Sequence, residues 1–435
     1  MSEGVKHRAG FLPLLGLMYA SACGGPYGME HYVAETGPGL FLLLLFVTPW
    51  LWGLPTAFAT AELTTRRSVA GGYYRWATEY LGEFWGYQEG FWNLLTSFLD
   101  NTLYPVLFAD AIAHFVPGMT PVQHWLAAVG FIVVLTYLNH RGIQIAGASA
   151  LALNIFLILP LIWLVVAAMS QLRFNPFTPL VSPSVDPAGR FGSALALAMW
   201  LYSGYYEVSA ASDDIENPSR NIPLALFVLS PLVIASYALP TIAGLVAVGG
   251  WDGWTSGEFA SIGASVGGPW LGSWMFLGSV ASYSAIFLAY VLWWSRLVWA
   301  MAADGQLPAF LNKLHPRFGT PHRALWAYAA VYAALAALPF NDLLVADIWL
   351  TGASNAVLQQ CLVKSRQVVP EDAPGFRVPG GRVGLWLNVV LPFLTWVLAL
   401  AFTARDHLLL GLTALVLPSL SWAATRRLRR QPQLG

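Results

Sequence analysis

Residues 38–61 read PGLFLLLLFVTPWLWGLPTAFATA, a stretch in which no residue carries a charge. The hydrocarbon core of a bilayer is about 30 Å thick and requires ~20 apolar residues per helix, so this stretch is long enough to cross it. Only helices and closed barrels satisfy their backbone hydrogen bonds in lipid, and a barrel would show short strands of alternating polarity. The uncharged run therefore predicts a membrane-spanning helix.

The composition of the whole chain supports this prediction. Of the 435 residues, 57% are hydrophobic and 10% are charged, whereas soluble domains are about 25% charged. The formal net charge is zero, so nothing suggests that the chain binds nucleic acid. Cys23 and Cys361 lie far apart in apolar surroundings, and we expect two buried thiols rather than a disulfide framework.

Apolar runs separated by polar breaks give about twelve predicted spans. With the N-terminus in the cytoplasm, only Arg173, Arg190 and Arg405 of the 22 lysines and arginines fall outside. This asymmetry requires an even number of spans and predicts a multi-pass protein of the cell membrane with both termini cytoplasmic. The predicted spans are 11–34, 38–62, 85–115, 124–138, 143–169, 191–211, 222–249, 270–302, 323–339, 343–363, 384–403 and 407–424.

Spans one and six are both interrupted. The first contains Cys23-Gly-Gly-Pro-Tyr-Gly28, in which glycine favours unwinding and proline lacks a backbone donor. The sixth contains Trp200-Leu-Tyr-Ser-Gly-Tyr-Tyr-Glu207. Breaks at matching positions of two halves are typical of transporters built from an inverted repeat, with a binding site at the bilayer midplane. For each break alone, a simple kink between packed helices stays open as an alternative.

Broken helices leave backbone groups free to bind a ligand. The amides of Gly25, Tyr27 and Gly28, near the start of the second half-helix, would suit a carboxylate, because helix N-termini are positive. Carbonyls of Tyr202 and Ser203 would suit an ammonium group. The predicted substrate-binding residues are Cys23, Gly24, Gly25, Tyr27, Gly28, Asp100, Tyr104, Trp200, Tyr202, Ser203 and Gly204.

Acidic side chains inside spans cost at least ~2.5 kcal/mol each, so each requires a partner or a function. Asp100 lies in the middle of a predicted span, and Tyr104 follows one turn later on the same face. Together with Glu30 and Glu207, Asp100 is a candidate for pairing with a substrate amine or for carrying a coupling proton. The alternative is a structural hydrogen bond to an amide of a broken helix. Three further acids lie nearer predicted span ends, where we expect solvated or capping roles: Glu62, Glu89 and Asp110.

Two sets of side chains could assist in binding a cation. Serines in span eight could hold sodium, although small polar residues also simply pack helices. Aromatic rings could hold an organic cation. The serines are Ser279, Ser282 and Ser284, and the aromatic residues are Tyr19, Tyr104, Trp200, Tyr202, Tyr205 and Tyr283.

The chain resembles the amino acid, polyamine and organocation transporter superfamily over most of its length. Residues 24–30 (GGPYGME) and 100–108 (DNTLYPVLF) are most similar to the plant-type polyamine and amino acid proton symporters. Two positions depart from the pattern. Pro160 stands where some bacterial members carry a lysine suspected in proton coupling, and Tyr206 rather than Glu207 aligns with the acid of this branch. The motifs that carry the resemblance are 21–28 (SACGGPYG), 200–207 (WLYSGYYE), 216–223 (ENPSRNIP), 295–296 (SR), 300–308 (AMAADGQLP) and 319–321 (GTP).

The resemblance implies an all-α integral membrane fold of about twelve helices. Residues 1–169 and 191–363 would form a five-plus-five inverted repeat with helices 1 and 6 broken, 384–424 two C-terminal helices, and 425–435 a basic cytoplasmic tail. It implies proton-driven transport of an amino acid or polyamine, with a cationic amine favoured. Sodium coupling and a neutral amino acid symporter or exchanger stay open.

Other function classes have no positive signal. The sequence contains neither an HExxH metal motif nor a GxxxxGK[ST] phosphate loop. We therefore expect no catalytic residue, no metal and no cofactor, and partners limited to the solute, the coupling ion and the lipid bilayer. The oligomeric state is left open.

Overall fold

The computed structural model describes residues 10–69, 71–183, 187–370 and 374–430. The regular elements of these residues are helical. The helices are α1 (Phe11–Ala22), α2 (Glu30–Thr36), α3 (Pro38–Thr48), α4 (Leu54–Arg66), α5 (Gly72–Leu81), α6 (Glu83–Phe115), α7 (Pro121–His140), α8 (Ile143–Ala168), α9 (Pro187–Leu201), α10 (Pro218–Ala247), α11 (Glu258–Gly267), α12 (Pro269–Ala303), α13 (His322–Leu335), α14 (Phe340–Val368) and α15 (Gly381–Arg430).

Six helical segments of the described residues are long and apolar enough to cross a membrane. The first comprises α3, a π-helical turn at Pro49–Gly53, and α4. Pro49 and Pro55 have no N–H, which removes two bonds from the regular helical ladder around this turn. The six segments are Pro38–Arg66, Pro121–His140, Ser149–Ala168, Pro218–Ala247, Pro269–Ala303 and Gly381–Thr403. The structure therefore confirms the prediction of a helical membrane protein.

Helices α6 and α14 are long enough to span, at 33 and 29 residues, but they are more polar. Three of their acids, Glu89 and Asp100 on α6 and Asp347 on α14, are buried inside the protein. The two helices pack against each other and against further helices of the fold. These three polar side chains are therefore sheltered from lipid.

The chain after residue 381 is predicted to form two separate helices. The structure assigns helical backbone to Gly381–Arg430 as one element, α15. Trp92 contacts two distant parts of α15, because it donates to the Leu415 carbonyl at 3.1 Å and lines one pocket together with Trp396. In a straight helix those two residues would lie ~28 Å apart. The chain of α15 therefore reverses direction between them, so that two antiparallel stretches lie beside α14.

Two 10-residue helices occupy corresponding places in the chain. Each of α5 and α11 precedes one of the long helices α6 and α12. Each is separated from its long helix by one glycine with almost the same backbone conformation: Gly82 has φ 95° and ψ 171°, and Gly268 has φ 88° and ψ 172°. A residue with a side chain rarely adopts this conformation.

The predictions for Glu62 and Glu89 were wrong, since both side chains are buried rather than solvated. Glu62 binds Arg66 at 2.6 Å and Arg366 at 2.7 Å, and also accepts a hydrogen bond from the Val378 amide. The chain segment that carries Val378 covers the end of α4. Asp110 fits its prediction better, because its partly exposed carboxylate pairs with His124 at 2.8 Å.

Candidate functional site

The first break separates α1 from α2. Helix α1 ends at Ala22 and α2 begins at Glu30, so the backbone between them is not helical. Partners from other helices bind it: the Gly24 amide lies 3.4 Å from the Tyr237 hydroxyl, and Ser282 donates to the Gly24 carbonyl. The break expected near residues 24–26 is therefore present, and α10 and α12 hold it in place.

The second break begins after Leu201, where α9 ends. The chain continues at Glu207 as a 3-10 helix to Asp214. Gly204 has φ 85°, and a Cβ atom at this position would lie 2.5 Å from the Ser21 carbonyl oxygen and 2.8 Å from the Tyr290 hydroxyl. The absence of a side chain thus allows the second break to touch the end of α1. The two breaks are in direct contact.

A small cavity lies between the breaks. It has about 30 Å³ of free space, enough for a water molecule or two but not for an amine substrate. Residues of α1 and its break, α6, α9 and its break, α10 and α12 form the walls. They are Ser21, Ala22, Cys23, Gly24, Gly25, Tyr27, Tyr104, Leu107, Trp200, Leu201, Ser203, Tyr237, Ser282, Tyr283, Ile286 and Tyr290.

Asp100 lies directly behind this wall. Its Oδ1 atom accepts a hydrogen bond from the Trp200 indole at 2.6 Å and another from the Tyr104 hydroxyl at 3.3 Å. The two donor rings are stacked, with centroids 5.9 Å apart. Asp100 is only 5% exposed, and no basic residue of the described chain pairs with it. A buried carboxylate held only by neutral donors is a suitable partner for a cation.

Glu207 lies at the other end of a series of aromatic rings. Its Oε2 atom accepts from the Trp294 indole at 3.0 Å and from the Tyr73 hydroxyl at 3.3 Å. Trp294 stacks on Tyr290 with centroids 4.4 Å apart, and Tyr290 lies 5.9 Å from the Tyr104 ring. The series therefore connects Glu207 to the ring that binds Asp100.

Glu30 contacts the backbone rather than the cavity. Its Oε2 atom accepts a hydrogen bond from the Gly28 amide at 2.8 Å, and its carboxylate also faces the amides of Gly257 and Phe259 at the start of α11. This is the geometry of the structural alternative, in which a carboxylate satisfies the free amides of a broken helix.

The structure brings most of the predicted binding residues together at the cavity. Cys23, Gly24, Gly25, Tyr27, Tyr104, Trp200 and Ser203 line it. Gly28 and Gly204 lie at the breaks but not in the wall. Tyr202 points elsewhere, because its hydroxyl donates to the Leu45 carbonyl at 2.8 Å. Tyr206 is buried with its ring against Tyr73, so Glu207 and Tyr206 both face α5.

The prediction missed several residues that the structure places at or beside the site, among them two tyrosines and an acid. Tyr237 and Tyr290 line the cavity, and Asp347 interacts electrostatically with Asp100. Asp347 could have been found, since it is an acid inside the predicted span 343–363. Tyr290 lies seven residues after Tyr283, on the same helical face. Nothing in the sequence singled out Tyr237.

Comparison with known proteins indicates a membrane transporter. The amino acid permease family matches residues 10–409. "Polyamine transporter RMV1" of Arabidopsis thaliana is 33% identical over 93% of this chain and 83% of its own length. "Polyamine transporter PUT1" of rice, Oryza sativa subsp. japonica, is 31% identical over 96% of this chain and 79% of its own length. An uncharacterized transporter of Mycobacterium tuberculosis is 28% identical over 77% and 74%. The chain therefore belongs to the amino acid permease family of membrane transporters.

Proposed function

We propose that this chain is a secondary transporter of cationic amines, with polyamines favoured, and that it couples transport to protons by alternating access. The observation that carries the proposal is Asp100, a buried carboxylate behind the cavity between the two breaks, which binds only the neutral donors Trp200 and Tyr104. An ammonium group would supply the missing counter-charge, and the aromatic rings beside it would add cation–π attraction. The names of the plant relatives agree with this substrate class.

The first break also favours an amine over an amino acid. A substrate carboxylate would require free amides in the unwound segment. The Gly28 amide already donates to Glu30, and the Gly25 amide faces the Cys23 sulfur at 3.4 Å. The protein's own groups therefore occupy two of the three amides that were expected to bind a carboxylate.

We assign the fold as a five-plus-five inverted repeat of residues 1–169 and 191–363, followed by two C-terminal helices in 384–424 and a cytoplasmic tail, 425–435. Three observations support it. Helices α5 and α11 occupy equivalent places with matching glycines. A glutamate follows each break, and Glu30 faces α11 while Glu207 binds α5. The fold-back of α15 gives an even number of crossings, which fits a protein of the cell membrane with both termini in the cytoplasm.

Transport requires the site to open from the state seen here. The cavity is too small for an amine substrate, and Gly204 rests on the end of α1. An amine must therefore displace side chains such as Trp200 or separate the breaks. Protonation of a buried acid, with Glu207 as the leading candidate, would bias which side is open by stabilising one state more than the other. Sodium is the competing coupling ion, but Ser282 already donates to the Gly24 carbonyl.

The experiment is radiolabelled uptake into proteoliposomes, comparing putrescine, spermidine, arginine and leucine with and without an inward proton gradient. Gradient-stimulated uptake of the polyamines or arginine is the expected result. Uptake of leucine alone would favour a neutral amino acid symporter or exchanger. Uptake that responds to a sodium gradient but not to pH would overturn proton coupling.

A further inference from the structure

Five buried acids inside the membrane region lack a basic partner among the residues that the structure describes. Glu30 is bound by a backbone amide, whereas Asp100, Glu207, Glu89 and Asp347 bind side chains and are each at most 5% exposed. Asp347 accepts a hydrogen bond from the Thr351 hydroxyl, at 3.4 Å. Glu89 accepts from Ser354 at 2.6 Å through one oxygen, while its second oxygen has no hydrogen-bond partner in the described chain. Such a set attracts cations or protons, because each uncompensated charge is costly in lipid.

The helix register locates Asp347 relative to Asp100. Helices α6 and α14 run antiparallel, because Phe340 meets Trp200 beside Asp100 while Ser354 meets Glu89. Asp100 lies eleven residues after Glu89 on α6, and Asp347 lies seven residues before Ser354 on α14. At ~1.5 Å per residue, the two aspartates differ in height by ~6 Å. Asp347 is the nearer of the two to Glu89.

Asp347 lies close to the cavity. It interacts electrostatically with Tyr104 and Tyr290, which both line the cavity, and with Asp100 itself. Asp100 and Asp347 therefore lie near the same two aromatic rings. An extended cation could contact both carboxylates at once.

We propose that Asp347 is a second ammonium anchor, which makes the transporter selective for linear diamines and polyamines over monoamines. The inference rests on the proposed function, since it extends the site around Asp100. In a four-carbon diamine, five bonds of ~1.5 Å in a zigzag separate the two nitrogens by about 6 Å, the height difference between the two aspartates.

The wild-type protein supplies the first test. Competition against radiolabelled putrescine uptake in proteoliposomes is measured with unlabelled putrescine and with butylamine, which has the same carbon chain but one amine. A second charge-assisted contact predicts that putrescine competes at least about tenfold better than butylamine. Equal competition would leave a cationic amine transporter intact and overturn the second anchor. Failure to transport either compound would overturn the proposed function itself.

The variant test uses Asp347→Asn, with Asp110→Asn as the matched control on the outer part of α6. Asp347→Asn should lower the affinity for putrescine about tenfold and change that for butylamine less than about twofold. The control should change neither. Equal losses for both amines, or loss of proton-gradient stimulation with unchanged preference, would contradict the proposal and indicate a coupling role. If Asp347→Asn fails to fold, the wild-type competition ratio decides alone.

Discussion

The indole nitrogen of Trp200 lies 2.6 Å from Oδ1 of Asp100 and donates a hydrogen bond to it. This bond connects the last turn of α9, just before the second break, to the middle of α6. It also places an aromatic ring between a buried carboxylate and the cavity. Opening of the site and exposure of the negative charge are therefore linked.

Replacing Trp200 separates its two contributions. Trp200→Phe keeps a ring but removes the hydrogen bond that holds the Asp100 carboxylate in position, so the affinity for putrescine should fall about fivefold. Trp200→Ala also removes the cation–π surface, and the affinity should fall at least about 20-fold. The KM of uptake measures both effects. Trp163→Phe is the control, because Trp163 is 50% exposed on α8. Wild-type affinity in Trp200→Phe would rule out the bond as a determinant of binding.

The contact between the breaks predicts the effect of Gly204→Ala. Its Cβ atom would lie 2.5 Å from the Ser21 carbonyl, so the breaks would be forced apart and the initial rate of uptake should fall roughly tenfold or more. The control variant Gly118→Ala measures the effect of an unfavourable backbone conformation without a steric clash. Gly118 has φ 83°, and a Cβ atom added there would have no neighbour within 4 Å, so this variant carries only the left-handed strain of ~1–2 kcal/mol. Equal loss of uptake in both variants would show that strain, not the clash, is responsible.

The packing of α15 on α14 predicts the effect of Gly352→Ala. The Trp396 ring lies directly on Gly352, and an added methyl group would force the ring away at a cost of about 2 kcal/mol. Thermal unfolding in detergent should show a lower Tm. Gly130→Ala on α7 is the control, since nothing lies within 4 Å of that position. It should be neutral or stabilising by up to ~1 kcal/mol. A Gly352→Ala protein as stable as the wild type would contradict this packing of Trp396 on α14.

The buried ion pairs of Glu62 should contribute much more to the free energy of unfolding than an exposed ion pair does. Glu62→Gln would leave Arg66 and Arg366 facing a neutral side chain, although their own side chains are 7% and 8% exposed. Removing one partner of such a buried pair should cost about 3 kcal/mol. The matched variant Glu79→Gln breaks the Arg67 pair, whose side chains are 53% and 45% exposed, and should cost less than ~1 kcal/mol. Similar unfolding midpoints for the two variants would show that the Glu62 cluster contributes little.

Local features of the sequence predicted the parts of the fold that depend on local chemistry. Glycine and proline at 24–26 and glycine at 204 marked both breaks, because these residues favour departures from the helix. Hydropathy located the membrane segments. Burial of Glu62 was not predictable in this way, since it depends on a segment more than 300 residues away that supplies Arg366 and the Val378 amide.

In the candidate site, too, residues marked by local sequence were predicted, whereas residues placed by distant contacts were not. Cys23, Tyr104 and Trp200 were found because they stand at breaks or beside an acid. Tyr237 was missed because only the packing of α10 against the first break brings its hydroxyl to Gly24. The direction of a side chain could not be predicted from the sequence either. Tyr202 lies within the second break, but its hydroxyl binds α3 instead of lining the cavity.

Asp100 is expected to pair with the positive charge of the substrate. The most direct test compares Asp100→Asn with wild type in proteoliposomes loaded with equal amounts of folded protein, measuring the uptake of putrescine and leucine. The affinity for putrescine should fall by about tenfold or more, while any leucine uptake is unchanged, because only the charged pair is lost. Lower yield of folded protein with unchanged preference between the two solutes would show that Asp100 is structural and does not bind the substrate.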